Sequence, residues 1–309
     1  MRDILVLGPN PAWQKTLFFP EFRFGQVNRA DEMMAFPSGK GINFCRAARC
    51  WGKAGTRLFQ FGGGEIGGRL CRELDKEGLH YVNIETAADT RTCTTCLCRK
   101  SGVMTEIIDP TPVLPTETIQ QMLDAIRGNI GQYAAVSITG TIPGGTKTDL
   151  YYRAALLARE NNIPIMVDSW QHIEDVLRTG GEMILKVNLD ELARITGIQE
   201  PREAIATAFE RYPLHAVAIT DGPGTAYAAT REQGWSFRLP VLEKIVSPLG
   251  SGDTNASILL SEYLDGTSFE QAFACALAAA TANCLTPLCG SFDKAVAETF
   301  CRQIEINNL

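Results

Sequence analysis

The chain has 309 residues, 45% of them hydrophobic, and a formal net charge of −6. It is long enough for one large α/β domain or about two average ones and should fold on its own. The acidic balance provides no global field to draw in nucleic acid or an anionic membrane, and no apolar run nears the ~18 residues of a membrane span. The opening "MRDILVLGPN" holds an apolar stretch too brief for a signal-peptide core and suited to a strand. A soluble, cytoplasmic protein is expected, so the ten cysteines are read as reduced thiols.

After that first strand, residues 12–36, "AWQKTLFFPEFRFGQVNRADEMMAF", are aromatic-rich and lack helical period, as in a hairpin. Then β-type and helical runs alternate: "GINFCRAARCWGKAG", "RLFQFGGG", "IGGRLCRELDKEG", "LHYVNIE". Residues 89–108, "DTRTCTTCLCRKSGVMTEII", form a second, Thr-rich hairpin-like stretch. The alternation resumes through "AAVSITG", "TDLYYRAALLARENN", "IPIMVDS", "MILKVN", "LDELARITG" and "HAVAITDG", and the region from Asp253 reads as two helices split by "DGTS". This is the pattern of βαβ units, so the expected fold class is α/β with a mainly parallel sheet covered by helices. Residues 1–11, 37–88 and 109–309 make the core in this reading. Residues 12–36 and 89–108 form a small β-sheet standing off it, a candidate lid or dimer surface.

Several patterns are decoys. "GGGEIGG" contains Gly62-x-Gly64-x-x-Gly67 after a strand, with Glu85 further on, which imitates a dinucleotide fingerprint, but the match is short and is read as a tight βα turn. "PSGKGIN" is not a phosphate-binding P-loop, because no glycine stands five residues before Gly39 and Gly41 replaces the required Ser or Thr. Cys93, Cys96 and Cys98 lack a fourth metal ligand and suit a strand. None of the three histidines, His80, His172 and His215, has metal or triad spacing.

The chemistry-bearing stretch is "SPLGSGDTNA". Gly250, Ser251 and Gly252 precede a helix, where free N–H groups and the helix dipole attract anions, yet Asp253 stands in the same place. A carboxylate there makes sense if the anion is a phosphoryl group in transit to a hydroxyl, whose proton the carboxylate accepts. The alternative is an ordinary acidic first turn. "KVNLDEL" offers Asn188-x-x-Glu191 after a strand, either an amide and a carboxylate over hydrated Mg²⁺ or a helix cap. "AITDGPGTAY" offers Thr220, Gly222 and Gly224, either a rest for nucleotide phosphates or ribose, or a plain hairpin.

Taken together and in this order, "PSGKGIN", "VNLDE", "TDGPG" and "GSGD" resemble the ribokinase-like, PfkB-type carbohydrate kinases. "NPA", "VNRA", "TR" and "TEI" resemble the branch that holds 1-phosphofructokinase and tagatose-6-phosphate kinase. The resemblance implies a doubly wound core with helices on both faces, a β-sheet lid, and ATP- and Mg²⁺-dependent phosphorylation of a sugar phosphate by a homodimer joined through the lid. It implies Asp253 as catalytic base, with Gly250, Ser251 and Gly252 as anion hole. It implies Asn188 and Glu191 near Mg²⁺, through water, with Lys186, Thr220, Gly222 and Gly224 along ATP and Asn283 near the adenine. On the acceptor side it implies Gly39, Lys40 and Asn43, with Arg29 and Arg91 as phosphate clamps. One departure stands out: where the family has an aspartate for sugar hydroxyls, this chain has Gln14, with Trp13 beside it able to stack on a sugar, although a core aromatic is the commoner role. That departure keeps open a kinase for a non-phosphorylated sugar, or a non-catalytic sugar or nucleotide sensor on the same fold.

Overall fold

The structure is a computed structural model describing residues 3–111, 113–144 and 149–309. In chain order the strands are β1 (Ile4–Leu7), β2 (Ala12–Phe19), β3 (Glu32–Ser38), β4 (Thr56–Gly63), β5 (Tyr81–Thr86), β6 (Thr92–Cys98), β7 (Met104–Ile108), β8 (Ala135–Thr139), β9 (Ile165–Asp168), β10 (Met183–Asn188), β11 (Ala216–Thr220), β12 (Ala226–Thr230), β13 (Gly234–Arg238) and β14 (Glu305–Asn308). The helices are α1 (Lys40–Trp51), α2 (Gly64–Glu77), α3 (Thr116–Asn129), α4 (Leu150–Glu160), α5 (Glu174–Arg178), α6 (Leu189–Thr196), α7 (Pro201–Arg211), α8 (Ser251–Leu264), α9 (Phe269–Asn283) and α10 (Lys294–Cys301). None of the helices among the described residues is long and apolar enough to cross a membrane.

A 10-stranded sheet runs in the order β14-β13-β12-β11-β10-β9-β8-β1-β4-β5. From β5 across to β11 the strands are parallel, and β12, β13 and β14 add an antiparallel edge. Strands buried on both faces read as unbroken apolar runs, as "ILVL" in β1 does. Its side chains alternate between two cores. Ile4 and Val6 join the cluster under α1, α8 and α9, and Leu5 and Leu7 join the cluster under α3 and α4.

A second sheet, ordered β3-β2-β6-β7, is made from the two hairpin-like stretches. Each is an antiparallel hairpin, and β2 and β6 join them in parallel. The C-terminal region holds more than the expected pair of helices, because α10 and β14 follow α9 and β14 closes the sheet edge beside β13.

The glycine-rich decoy resolves as a tight βα turn. A side chain at Gly63 would collide with the carbonyl oxygens of Thr86 and Ala88, and the Gly63 N–H donates to Thr90 Oγ1 at 3.1 Å.

Candidate active site

In a parallel sheet, ligands bind beyond the C-terminal strand ends, at the crevice where the strand order reverses. Here β1 has β4 on one side and β8 on the other, so the crevice opens between β1 and β8. Asn10, just after β1, spans it by donating from Nδ2 to Thr141 Oγ1 at 2.9 Å, just after β8. The neighbouring strand ends deliver Asp168 (β9), Lys186 and Asn188 (β10) and Thr220 (β11) to the same edge.

Helix α1 enters this edge through Gly39, whose φ of 116° is open to glycine and strained for other residues. Gly41 then lets α1 press onto the end of β1, since a Cβ there would come within 2.8 Å of Gly8 Cα. This close approach sets Lys40 over Gly140 and sends its ammonium to Asp168, with Nζ to Oδ1 at 3.0 Å. Lys186 Nζ approaches the same Oδ1 at 3.7 Å from β10, and Thr139 Oγ1 donates to Oδ2 at 3.4 Å. Asp168 is 0% exposed, so a single buried carboxylate holds two cations at the sheet edge.

Helix α8 begins beside them. Its N-cap, Gly250, has φ 79°, and a Cβ there would fall 2.8 Å from Cys289 Cβ, so the turn demands glycine twice over. The Ser251 N–H reaches back to Pro248 O at 3.3 Å and that of Thr254 to Gly250 O at 2.9 Å. The N–H groups of Gly252 and Asp253 precede the first intrahelical donor, the Thr254 N–H, and carry the positive end of the dipole. Gly252 lies against the Lys186 ammonium. Asp253 is buried, and Asn43 Nδ2 donates to its Oδ2 at 2.7 Å. Asn43 is fixed in turn, since its Oδ1 accepts from Ser38 Oγ at 3.1 Å.

The electrostatics follow from this packing. Burial pushes the Asp253 carboxyl up to about 6, against the pull of the Lys40 charge and with a further push from Asp168. Burial opposes the Lys40 charge, but Asp168, Asp253 and Glu191 outweigh it and hold the ammonium above its ordinary value. Burial likewise opposes ionisation of Asp168, and Lys186 and Lys40 overcome it, so this carboxyl stays below the usual range. The arrangement pairs a carboxylate of raised basicity with two fixed ammonium groups and a helix N-terminus. It can stabilise a migrating phosphoryl group and accept a proton from the attacking hydroxyl.

Beside α8 an apolar cleft of about 280 Å³ opens between Val241, Ile245, Leu277 and Ala280, with Thr220, Gly222, Ser251 and Gly252 at its polar end. The antiparallel β11–β12 hairpin supplies Thr220 and Gly222, so the hairpin and the cleft wall are one feature. Gly224 closes its turn by donating to Asp221 O at 2.7 Å and is not among the residues that line the cleft. Asn283 is also outside the lining. Its carboxamide is 0% exposed, donates to Leu249 O at 2.9 Å and accepts from Gly290 N at 2.8 Å, which pins the loop leading into α8. Asn188 and Glu191 form a reciprocal capping box on α6: Asn188 Oδ1 accepts from the Glu191 N–H and Glu191 Oε2 from the Asn188 N–H.

On the smaller sheet, Gln14 is 3% exposed and donates from Nε2 to Thr95 Oγ1 at 2.8 Å and to Lys15 O at 3.1 Å. Trp13 belongs to the core instead of a sugar face: it is 4% exposed, with the Arg69 guanidinium 4.1 Å from its ring centroid. Arg91 is half-buried and donates to Asn10 O at 3.1 Å, so it stands at the crevice. Arg29 is exposed on the loop between β2 and β3.

Sequence reasoning missed Asp168, Asn10 and Arg46. An Asp closing the apolar strand "IMVDS" was the available signal for Asp168, since such ends line the crevice. Arg46 left none. It is buried, pairs with Glu77 at 2.7 Å, and donates to Pro37 O at 2.9 Å and Cys289 O at 2.7 Å. These bonds tie the root of the smaller sheet to the loop after α9.

Known proteins are similar to this chain in sequence and in fold. The chain is 30% identical over 295 residues to an ATP-dependent 6-phosphofructokinase isozyme 2 of Mycobacterium tuberculosis, covering 92% of this chain and 84% of that protein. It is 23% identical over 311 residues to a tagatose-6-phosphate kinase of Staphylococcus epidermidis, covering 98% of this chain and 99% of the other. Phosphofructokinase-2 from Escherichia coli, solved with potassium, superposes with a TM-score of 0.88 at 21% identity, covering 98% of this chain and 99% of that one. An Arabidopsis thaliana ribokinase superposes with a TM-score of 0.76 at 17% identity, with 97% and 99% covered. Residues 4–295 match the pfkB family of carbohydrate kinases, and the chain belongs to that family.

Proposed function

We propose that this carbohydrate kinase moves the γ-phosphoryl group of ATP to a hydroxyl of a sugar phosphate, a phosphorylated ketohexose or close analogue, by direct in-line transfer. The observation that carries the reading is Asp253, a buried carboxylate raised to about 6 at the start of α8, beside the ammonium groups held by Asp168. The apolar cleft takes the adenosine. Thr220, Gly222, Ser251 and Gly252 lead its phosphates to the dipole end of α8. The N–H groups of Gly252 and Asp253 with Lys186 neutralise the transferring phosphoryl, and Lys40 approaches it from the acceptor side. Asp253 takes the hydroxyl proton, and Asn43 keeps the carboxylate aimed.

The acceptor lies between the crevice and the smaller sheet. Arg91 stands at the crevice, and Arg29 reaches the acceptor's phosphate from its exposed loop. The names of the relatives from Mycobacterium tuberculosis and Staphylococcus epidermidis support a phosphorylated acceptor. Gln14, a neutral amide where the family carries a carboxylate, is the residue through which the sugar preference differs. The smaller sheet acts as a lid in this reading. It also joins two copies of the chain, because Phe24, Val27, Met33 and Ile107 leave a large apolar area exposed on it.

The donor set fits Mg²⁺. This ion keeps most of its waters and asks for one or two carboxylates plus substrate phosphates. Glu191 has one carboxylate oxygen outside the capping box, and its charge is felt at Lys40. Glu191 and Asn188 would hold the ion through water. Bound there, it would neutralise charge on the ATP phosphates.

The test is release of ADP by purified protein with ATP, Mg²⁺ and a panel of sugars and sugar phosphates. Turnover with phosphorylated ketohexoses and none with the free sugars is the expected result. Turnover with free sugars alone would overturn the choice of acceptor. ATP binding without turnover on any acceptor would favour a sensor.

A further inference from the structure

Helices α9 and α10 pack side by side, and at their contact the sulfur atoms of Cys275 and Cys301 stand 3.2 Å apart. All ten cysteines are free, and among the described residues no other sulfur–sulfur contact is formed. Both residues are half-buried, so neither is sealed in the core. A disulfide needs its sulfurs at about 2.05 Å, so bonding asks for an approach of only ~1.2 Å from the contact already made.

The two thiols differ in character. A hydrogen bond from Cys275 holds Cys301 down to about 7 against burial, and the same bond pushes Cys275 well above the thiol range. The charges facing the pair come from three directions. Glu262 of α8 disfavours both thiolates, Glu298 of α10 disfavours that of Cys301, and Lys53 and Arg302 counter them. Glu262 is itself engaged by Trp51 Nε1 at 2.6 Å and Lys53 Nζ at 2.9 Å, so its charge is partly compensated.

We propose that Cys275 and Cys301 form a modification site, a dithiol that hydrogen peroxide or another small hydroperoxide oxidises to a disulfide joining α10 to α9. The Cys301 thiolate attacks one peroxide oxygen; the O–O bond breaks, the other oxygen leaves and becomes water, and Cys301 becomes a sulfenic acid. The Cys275 sulfur then attacks the Cys301 sulfur and displaces the second oxygen as water. Both thiol protons end in the two waters, and the two electrons lost by the sulfurs reduce the peroxide. A dithiol reductant reverses the reaction. The site lies outside the catalytic machinery, but Leu277, Ala280 and Thr281 of α9 line the apolar cleft, so the bond fixes one of its walls. The proposal does not rest on the kinase reading.

The full chain is reduced, exposed to stoichiometric hydrogen peroxide, quenched with an alkylating agent, digested and weighed. The expected product is a peptide pair linked through Cys275 and Cys301, two hydrogens lighter than the dithiol and restored by dithiothreitol. It should form before Cys93, Cys96 or Cys98 is modified. In C275S, Cys301 should stop at a sulfenic acid that dimedone traps. In C301S no linked pair should form, and the melting temperature should be insensitive to peroxide, where that of the wild type rises by several degrees. Should a serine variant fail to fold, the order of modification in the wild type decides. A Cys275–Cys301 pair that remains alkylatable after other cysteines have reacted would overturn the proposal, as would a Cys301 in C275S no more reactive than Cys284.

Discussion

Replacing Asp253 by Asn removes the proton acceptor and changes little else. The new carboxamide can still accept from Asn43 Nδ2, and the side-chain volume is kept. Loss of a positioned general base lowers kcat by ~10²- to 10⁴-fold, or about 3 to 5.5 kcal/mol of barrier. The KM for ATP should stay nearly constant, because the cleft and the N–H groups of α8 are untouched. Stability should move the other way. The carboxyl titrates near 6 in the folded chain, against an ordinary 3.8. The folded state therefore binds more protons between these values, and stability falls as pH rises through that window. Above pH 6 the ionised carboxylate costs about 3 kcal/mol, which Asn removes. Asp253→Asn should be nearly inactive yet melt at a higher temperature than the wild type at pH 8, with the two melting temperatures converging towards pH 4. The logarithm of the wild-type kcat/KM for the acceptor should rise with unit slope up to about pH 6 and level off above it. Steady-state ADP release and thermal melts across pH 4 to 9 measure all of this. A kcat within tenfold of wild type, or a flat profile between pH 5 and 8, would refute the role assigned to Asp253.

Asp168→Asn leaves Lys40 and Lys186 facing each other without their shared counter-ion; denaturant melts should show a loss of about 3 to 5 kcal/mol. In the same variant the acid limb of kcat/KM should shift to lower pH, because the Asp168 charge helps to raise Asp253. Gln14→Ala frees the Thr95 hydroxyl and should raise the KM for the acceptor by ~5- to 100-fold while leaving that for ATP unchanged; an acceptor KM equal to that of the wild type would place the acceptor elsewhere. Gly250→Ala must adopt φ 79° and meet Cys289 2.8 Å away, so it should destabilise the chain by at least about 2 kcal/mol in thermal melts, with loss of activity.

Much of the fold was legible because buried parallel strands and their covering helices leave distinct periods. "ILVL" and "IMVDS" announce themselves as interior strands, and "GINFCRAARCWGKAG" as a helix. Motif chemistry was legible for a similar reason. Anion binding by a helix N-terminus is a local backbone property, so "GSGD" discloses it without any partner. Roles that depend on partners were hidden. Asn283 reads as a ligand contact, yet its amide is engaged by Leu249 and Gly290, and Trp13 reads as either a stacking platform or a core aromatic, between which Arg69 and the core decide. The Asn188-x-x-Glu191 spacing suits both a cap and an ion site, and one side-chain pair satisfies the first while leaving an oxygen for the second.

The sequence by itself determined the α/β alternation, the two hairpins that form the smaller sheet, and the coexistence of Asp253 with an anion-binding turn. These are properties of short segments, set by periodicity and by backbone hydrogen bonds within a few residues. Only the tertiary structure decided that Lys40 and Lys186, 146 positions apart, share the carboxylate of Asp168, and that burial among them raises Asp253 to about 6. The field at a carboxylate depends on distance and desolvation in three dimensions, and neither is encoded in the spacing of residues along the chain.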